Sequence, residues 1–218
     1  VPPGPEFIAL TFALFRAGAV PVMIDPGMGH RHIARALSEA EPEAFIGVSK
    51  AHLARIIQGW GKDSVRTLVT VGRRWLWDGY SLKHLRSLGR GQAASRPQLA
   101  PQEIAAILFT SGSTGSPKGV VYTHRIFAAQ VDMLREHFAI LPGEVSVPTF
   151  PLFALFDVAL GLSAAIPRMD STRPGAVDPM SIIEPIQRLG AAQLFGSPAL
   201  LDTVGRYGCV VETSVGRL

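Results

Sequence analysis

The chain has 218 residues, of which 47% are hydrophobic and 17% are charged, and its formal net charge is +4. This composition excludes a disordered chain and supplies enough apolar material for a core of domain size. The single cysteine, Cys209, excludes an internal disulfide framework and a multi-cysteine metal cluster, which favours a reducing compartment. Because the first residues carry no secretory signal pattern, we expect a cytoplasmic protein.

The first seventy residues alternate between helical and strand patterns. Apolar spacing predicts helices over 5–16, 30–40 and 51–58, and short apolar runs predict strands over 19–24, 44–48 and 65–71. Such an order of strand, helix and strand implies a parallel sheet covered by helices on both faces. The sequence therefore predicts an α/β fold.

A stretch rich in Gly, Arg and Ser follows at 72–102. We expect it to be a linker between two parts of the chain, a first βαβ unit at 1–102 and a second unit at 103–218. Within it, residues 73–77 read Arg-Arg-Trp-Leu-Trp, a cluster that could stack on nucleic-acid bases. Because the chain has no long basic block, we favour a surface loop whose aromatic rings pack inward, and we expect no nucleic-acid partner.

The most informative segment is TSGSTGSPKG at 110–119, which lies between an apolar run at 104–109 and a β-branched run at 120–123. Glycines allow close approach to a ligand, hydroxyls donate hydrogen bonds to anionic oxygens, and one lysine adds positive charge. The pattern predicts a triphosphate site distinct from the Walker A loop, which would require Ser or Thr after the lysine. The predicted phosphate-binding residues are Thr110, Ser111, Gly112, Ser113, Thr114, Gly115, Lys118 and Gly119.

The longer run ILFTSGSTGSPKGVVYTH at 107–124 resembles the signature loop of adenylate-forming enzymes, which include acyl-CoA synthetases, luciferases and the adenylation domains of peptide synthetases. In that family a carboxylate attacks the α-phosphate of ATP to give an acyl adenylate and pyrophosphate. The resemblance implies ATP and Mg²⁺ as cofactors, a catalytic role for Lys118, and layered, mostly parallel sheets with flanking helices. For His124 two interpretations stay open: a helix-start residue satisfied locally, or a catalytic residue near the adenylate.

Two proline-marked turns further along resemble the acyl-pocket motifs of the same family. They are PLFALFDV at 151–158 and FGSPALL at 195–201. Many relatives have His at the place of Ala154 and Gly at that of Asp157, so this chain combines an apolar opening with one acid. That combination suggests a fatty substrate with a polar group. The resemblance implies a substrate pocket formed by Phe153, Phe156, Asp157, Gly196, Ser197 and Pro198.

The segment at 145–167 carries one charge, Asp157, over a length that could cross a bilayer. Its prolines and the central carboxylate argue against a membrane span. A buried strand, loop and helix is the better account. We therefore expect at most peripheral membrane contact.

The opening third resembles one branch of the family more than the others. GAVPVMIDPGMG at 18–29 and EAEPEAFIGVSKAHLA at 39–54 are similar to the β-lactone synthetases of olefin biosynthesis. That resemblance implies a β-hydroxy fatty acid that is activated as its adenylate and closed to a β-lactone with release of AMP, and companion olefin-biosynthesis enzymes as partners. We hypothesise that Asp157 orients or deprotonates the β-hydroxyl.

The alternatives are a fatty acyl-CoA synthetase, a fatty acyl-AMP ligase, or a non-catalytic remnant that binds nucleotide. Adenylate-forming enzymes usually run to about twice this length or more. The resemblance therefore leads us to expect that the adenine, ribose and metal segments and the small C-terminal domain are absent from these 218 residues. Alone, this stretch is expected to bind ATP weakly and to turn over little.

Overall fold

The computed structural model describes residues 1–92, 97–111 and 117–211 of the chain. These residues form two compact units, Val1–Phe127 (unit 1) and Ala128–Leu218 (unit 2). Each unit combines helices with short sheets. The predicted α/β architecture of mostly parallel sheets with flanking helices is confirmed.

Unit 1 opens with alternating helices and strands. Its first five elements are α1 (Pro5–Arg16), β1 (Val22–Ile24), α2 (His30–Ala40), β2 (Ala44–Val48) and α3 (Ser49–Gln58). The next six are β3 (Thr67–Val71), β4 (Tyr80–Ser81), α4 (Leu82–Leu88), β5 (Ile104–Ser111), β6 (Pro117–Thr123) and α5 (His124–His137), of which α5 continues into unit 2. The helices at 5–16 and 30–40 and the strand at 44–48 have the bounds that the sequence predicts.

Two three-stranded sheets organise unit 1, with the orders β1-β5-β6 and β2-β3-β4. β1 runs parallel to β5, with Val22 opposite Ile107, and β5 runs antiparallel to β6. Because β5 is hydrogen-bonded to β1, the strand before the phosphate loop belongs with the first part of the chain. The division between the units therefore follows Phe127, whereas the composition of the sequence places it at residue 102.

The stretch at 72–102 contains regular structure where the sequence predicts a linker. β4 pairs in parallel with β3, placing Val69 opposite Tyr80. α4 follows at once, and its N-terminus is capped by Ser81, whose hydroxyl oxygen accepts a hydrogen bond from the His84 N–H at 3.2 Å. A two-residue strand is too short to show a periodic pattern, and the Gly, Arg and Ser content of this stretch favours a linker. The sequence therefore predicts neither β4 nor α4.

Unit 2 is built on one parallel sheet of order β8-β7-β9. After the remainder of α5 its elements are β7 (Val145–Pro148), α6 (Phe153–Leu160), β8 (Ser163–Ala164), α7 (Met180–Leu189), β9 (Gln193–Phe195) and α8 (Pro198–Val211). A compact core forms from Val177, Ile182, Ile183, Leu200 and Val204. The apolar segment at 145–167 folds as a strand, a turn and a short helix, as predicted. Within the part of the chain that the structure describes, no helix is long and apolar enough to span a bilayer.

Candidate functional site

The β5–β6 hairpin of unit 1 carries the two ends of the predicted phosphate loop. Thr110 on β5 is the cross-strand partner of Lys118 on β6, and both side chains are exposed. Cross-strand partners project from the same face of a sheet, so a hydroxyl and an ammonium group stand side by side where the hairpin opens. The predicted residues Gly112, Ser113, Thr114 and Gly115 lie outside the described residues, as does the side chain of Ser111.

Packing gives a second reason for glycine at position 119, in addition to the predicted contact with phosphate. It lies opposite Phe109, a buried residue of β5. A β-carbon on Gly119 would stand 3.2 Å from the Phe109 ring and 3.3 Å from the Ile107 side chain. Glycine therefore leaves room for the Phe109 ring in the register that places Thr110 beside Lys118.

His124 begins α5, directly after β6. Its backbone N–H donates to the carbonyl oxygen of Glu103 at 3.1 Å, and its half-buried ring meets the Phe15 ring edge to face at a centroid distance of 6.0 Å. These contacts agree with a helix-start residue satisfied by local packing. A place near the adenylate stays a prediction.

In unit 2 the order of the sheet places the carboxyl ends of β7 and β9 side by side. The chain passes from β7 through α6 to β8 on one side of β7, then returns through α7 to β9 on the other side. In open parallel sheets, ligands bind beyond the carboxyl ends of strands at which the connections diverge in this way. Both the backbone N–H and the hydroxyl of Thr149 donate to the Phe195 carbonyl oxygen, at 3.1 and 2.7 Å, which ties the ends of β7 and β9 together.

An aromatic cluster lies at this edge. The Phe153 ring stacks on the Phe195 ring with a centroid distance of 3.4 Å, and its centroid lies 6.2 Å from that of Phe150 and 5.9 Å from that of Phe156. Phe195 keeps 39% of its surface exposed. The structure thus brings two of the predicted pocket residues, Phe153 and Phe156, into one aromatic cluster.

The three remaining turn residues shape the start of α8. A β-carbon on Gly196 would approach the Leu200 side chain to 3.0 Å, so the turn has little room for a larger residue. The Ser197 hydroxyl oxygen accepts a hydrogen bond from the Leu200 N–H at 3.4 Å, and Pro198 is the first residue of the helix. These residues fix the start of α8, and their place in a substrate pocket stays a prediction.

Asp157 lies beneath the aromatic cluster on α6. Its side chain is buried, with 7% exposure, although its Oδ2 atom has no hydrogen-bond partner among the described residues. Burial raises the pKa of the Asp157 carboxyl from 3.8 to about 6, and a hydrogen bond with Ser146 opposes part of that shift. A carboxylate with this pKa and a free oxygen can accept a proton near neutral pH.

The register of the sheet explains why Asp157 lies one layer deeper in the sheet than the Phe153 and Phe195 rings. Pro148 pairs with Phe195, and one layer deeper Ser146 pairs with Gln193. Phe153 contacts Phe195, and Asp157, one helical turn later on the same face of α6, contacts Ser146. The Phe153 and Phe195 rings therefore lie at the strand ends, and Asp157 lies one layer deeper beside Ser146.

The sequence did not single out three residues of this site, Ser146, Thr149 and Gln193. Ser146 is buried and meets Asp157, Thr149 joins two strand ends, and the Gln193 side chain donates to the Glu144 carboxylate at 3.4 Å. The only sequence signal was a pair of hydroxyl residues in the otherwise apolar run SVPT at 146–149.

Metal binding by side chains alone has no support in the described ranges. There, no group of three or more His, Cys, Asp or Glu side chains is arranged to hold a metal ion. Exposed Thr110 and Lys118 suit the oxygen atoms of a polyphosphate better than a bare cation.

Comparison with known proteins agrees with this chemistry. The AMP-binding enzyme family matches residues 1–214 of the chain. The olefin beta-lactone synthetase of Xanthomonas campestris pv. campestris is 50% identical over 208 residues, and that of Stenotrophomonas maltophilia is 52% identical over 216 residues. The matches cover 95% and 98% of this chain but 37% and 38% of the relatives, so the chain spans less than two fifths of their length.

Among solved structures, the amide bond synthetase McbA from Marinactinospora thermotolerans is similar over 97% of this chain and 41% of its own, with a TM-score of 0.75 and 20% identity. MbtA from Mycobacterium smegmatis is similar over 94% of this chain and 39% of its own, with a TM-score of 0.75 and 21% identity. At such identities the likeness establishes the fold. The chain therefore belongs to the AMP-binding enzymes, the adenylate-forming ligases that the motif at 110–119 indicates.

Proposed function

We propose that the protein containing this chain activates a β-hydroxy fatty acid with ATP and then closes the acyl adenylate to a β-lactone. The observation that carries the proposal is 50% and 52% identity to two olefin beta-lactone synthetases over at least 95% of the chain. A buried acid at the acyl opening supplies a matching chemical group. Companion enzymes that supply the β-hydroxy acid and consume the lactone belong to the same proposal.

In the first step a carboxylate oxygen of the substrate attacks the α-phosphorus of ATP, and the bond to the β-phosphate breaks to release pyrophosphate. Thr110 and Lys118 are proposed to hold the phosphates, together with the loop residues between them. This assignment is supported by the exposure of both side chains and by their register across the hairpin. Positioning and charge neutralisation are the main contributions that a protein makes to such displacements. Mg²⁺ bound to the phosphates would neutralise further charge.

In the second step the β-hydroxyl oxygen attacks the activated carbonyl carbon of the same molecule. The bond between that carbon and the adenylate oxygen breaks, AMP leaves, and the hydroxyl proton passes to the Asp157 carboxylate. The raised pKa and the unpartnered Oδ2 atom of Asp157 support this role. The ring closes within one molecule, so no thiol is needed.

The test uses the complete open reading frame that encodes this chain. The purified protein is incubated with a β-hydroxy fatty acid, ATP, Mg²⁺ and coenzyme A, and the products are identified by mass spectrometry. We expect β-lactone, AMP and pyrophosphate. An acyl-CoA thioester that keeps its hydroxyl would instead establish a thioester-forming ligase and overturn the lactone proposal.

A substrate control separates the two steps. A fatty acid of the same chain length without the β-hydroxyl can be adenylated but cannot cyclise, so we expect ATP–pyrophosphate exchange without lactone. If neither acid supports exchange, the whole proposal fails and the non-catalytic alternative stands in its place.

A further inference from the structure

A short loop in unit 1 presents apolar side chains to solvent. We call residues 72–79 the basic loop, after Arg73 and Arg74. At its tip Leu76 is fully exposed, at 104% of the reference surface, and Trp75 is 51% exposed. The sequence predicts that the aromatic rings of this loop pack inward, which is correct for half-buried Trp77 and wrong for Trp75.

The inward ring anchors the loop to the unit 1 core. Trp77 Nε1 donates to Thr70 Oγ1 at 2.9 Å, and the Trp77 ring stacks on the His52 ring at a centroid distance of 5.1 Å. His52 is fully buried, and its Nε2 lies 3.1 Å from the Val69 carbonyl oxygen. The Trp77 ring therefore holds the loop against buried residues of unit 1.

Both ends of the basic loop are also held. The Ser49 hydroxyl donates to the Arg73 carbonyl oxygen, and the Arg74 guanidinium donates to the Gly79 carbonyl oxygen. Gly79 has a φ of +103°, and a β-carbon there would come within 2.3 Å of the Leu68 carbonyl oxygen. With its base fixed in this way, the loop holds Trp75 and Leu76 outward in a defined position.

The part of the sequence that contains this loop is basic. Residues 66–90 contain six basic side chains and one acidic side chain, so their formal charge of +5 exceeds the +4 of the whole chain. The basic residues are Arg66, Arg73, Arg74, Lys83, Arg86 and Arg90, and the acid is Asp78. Only Arg86 has a described ion pair, with Glu6 at 3.8 Å. Arg73 and Arg74 belong to the loop itself, so they are the charges that can act directly on an anionic surface at its tip.

We propose that the basic loop binds an anionic lipid surface, with Trp75 and Leu76 inserted among the headgroups and the basic side chains facing lipid phosphates. Tryptophan and leucine beside arginine are the combination that partitions into a membrane interface. A fully exposed leucine at a fixed tip suits a soft lipid layer, because insertion needs no complementary pocket. The proposal does not depend on the reaction that the protein catalyses.

The test is flotation of the complete protein with vesicles of phosphatidylcholine alone or mixed with phosphatidylserine. We expect binding to the mixed vesicles that weakens as salt increases. The double variant Trp75→Ala, Leu76→Ala should bind at least about tenfold more weakly, because it loses the inserted apolar surface. Arg73→Gln should bind about fivefold more weakly.

A matched control keeps the test specific. Ile57→Ala removes a 69% exposed apolar side chain from α3, outside the basic loop, and should leave vesicle binding unchanged. Brominated lipids should quench the fluorescence of the wild-type protein, and Trp75→Phe should reduce that quenching to the part that Trp77 contributes. Circular dichroism checks that each variant is folded.

Two results would overturn the proposal. One is wild-type protein that stays unbound to mixed vesicles at low salt, which would leave the loop as a contact for another protein. The other is equal flotation of the wild type and the double variant, which would place any lipid contact elsewhere.

Discussion

The β5–β6 hairpin of unit 1 and the β7–β9 edge of unit 2 rely on opposite physical conditions. At the hairpin, Thr110 and Lys118 are exposed, where they can meet a charged ligand that arrives from water. At the sheet edge, Asp157 is buried, and the loss of water gives the acid its raised pKa. The comparison teaches that a phosphate site needs accessible charge, whereas a proton acceptor gains from burial. The two regions should therefore respond differently to mutation and pH.

The largest effect is expected from Asp157→Asn. If Asp157 accepts the hydroxyl proton, the variant should close the β-lactone about 10²- to 10⁴-fold more slowly, while ATP–pyrophosphate exchange changes little. Single-turnover rapid-quench kinetics measures both steps. Asp202→Asn, which changes an exposed acid of α8, is the matched control and should leave both rates unchanged. Full lactone formation by Asp157→Asn would remove the acid from the mechanism.

The hairpin should show the reverse pattern. Lys118→Ala removes the positive charge beside Thr110 and should lower kcat/KM for adenylation about 10²-fold. Closure of a preformed acyl adenylate should be affected less, because pyrophosphate has already left. ATP–pyrophosphate exchange measures the first effect, with Lys62→Ala as an exposed lysine control. Equal exchange rates for Lys118→Ala and Lys62→Ala would contradict the assignment.

Stability provides a third contrast. The Asp157 pKa is about 6 in the folded protein and 3.8 in the reference state, so folding favours the protonated acid. The contribution of Asp157 to the free energy of unfolding is therefore most favourable below pH 4. It declines as the pH rises to 6 and stays unfavourable at higher pH. Asp157→Asn should raise the free energy of unfolding at pH 8 by up to about 3 kcal/mol, with a much smaller gain at pH 4. Urea unfolding at the two pH values measures this difference, and a pH-independent change would contradict the account.

The smallest effect concerns Ser146. Its hydrogen bond lowers the Asp157 pKa, so Ser146→Ala should raise that pKa further. If Asp157 accepts the hydroxyl proton, the rate of ring closure should rise with pH as Asp157 ionises, and in Ser146→Ala this rise should occur at higher pH than in the wild type. The pH profile of closure measures the shift. Ser163→Ala, which changes an exposed residue of β8, is the control and should keep the wild-type pH profile. An unchanged profile in Ser146→Ala would show that the hydrogen bond does not influence the Asp157 pKa.

Local signals explain what the sequence could predict of the fold. The bounds of α1, α2 and β2 follow from nearby residues, such as Pro5 at the start of α1 and Gly18 just after its end. The pairing of β1 with β5 joins strands separated by most of unit 1, and nothing in either strand specifies its partner. The division of the chain at residue 102 came from composition, which does not encode such long-range hydrogen bonds.

The candidate site shows the same limit. Asp157 was recognisable because it is an isolated acid in an apolar run, a pattern that marks a buried polar group. Ser146 and Thr149 were not, because hydroxyl residues are common in strands and their roles depend on how α6 and β9 pack against β7. Phe153 and Phe195 belong to two separate sequence motifs, and only the fold brings their rings together.

The most direct test of the central claim is a crystal structure of the complete protein with a non-hydrolysable β-hydroxyacyl adenylate analogue. The account predicts that the β-hydroxyl oxygen lies about 3 Å from a carboxylate oxygen of Asp157, within hydrogen-bond distance. An acyl chain that runs elsewhere, with Asp157 still sealed beneath Phe153 and in contact with Ser146 alone, would contradict it.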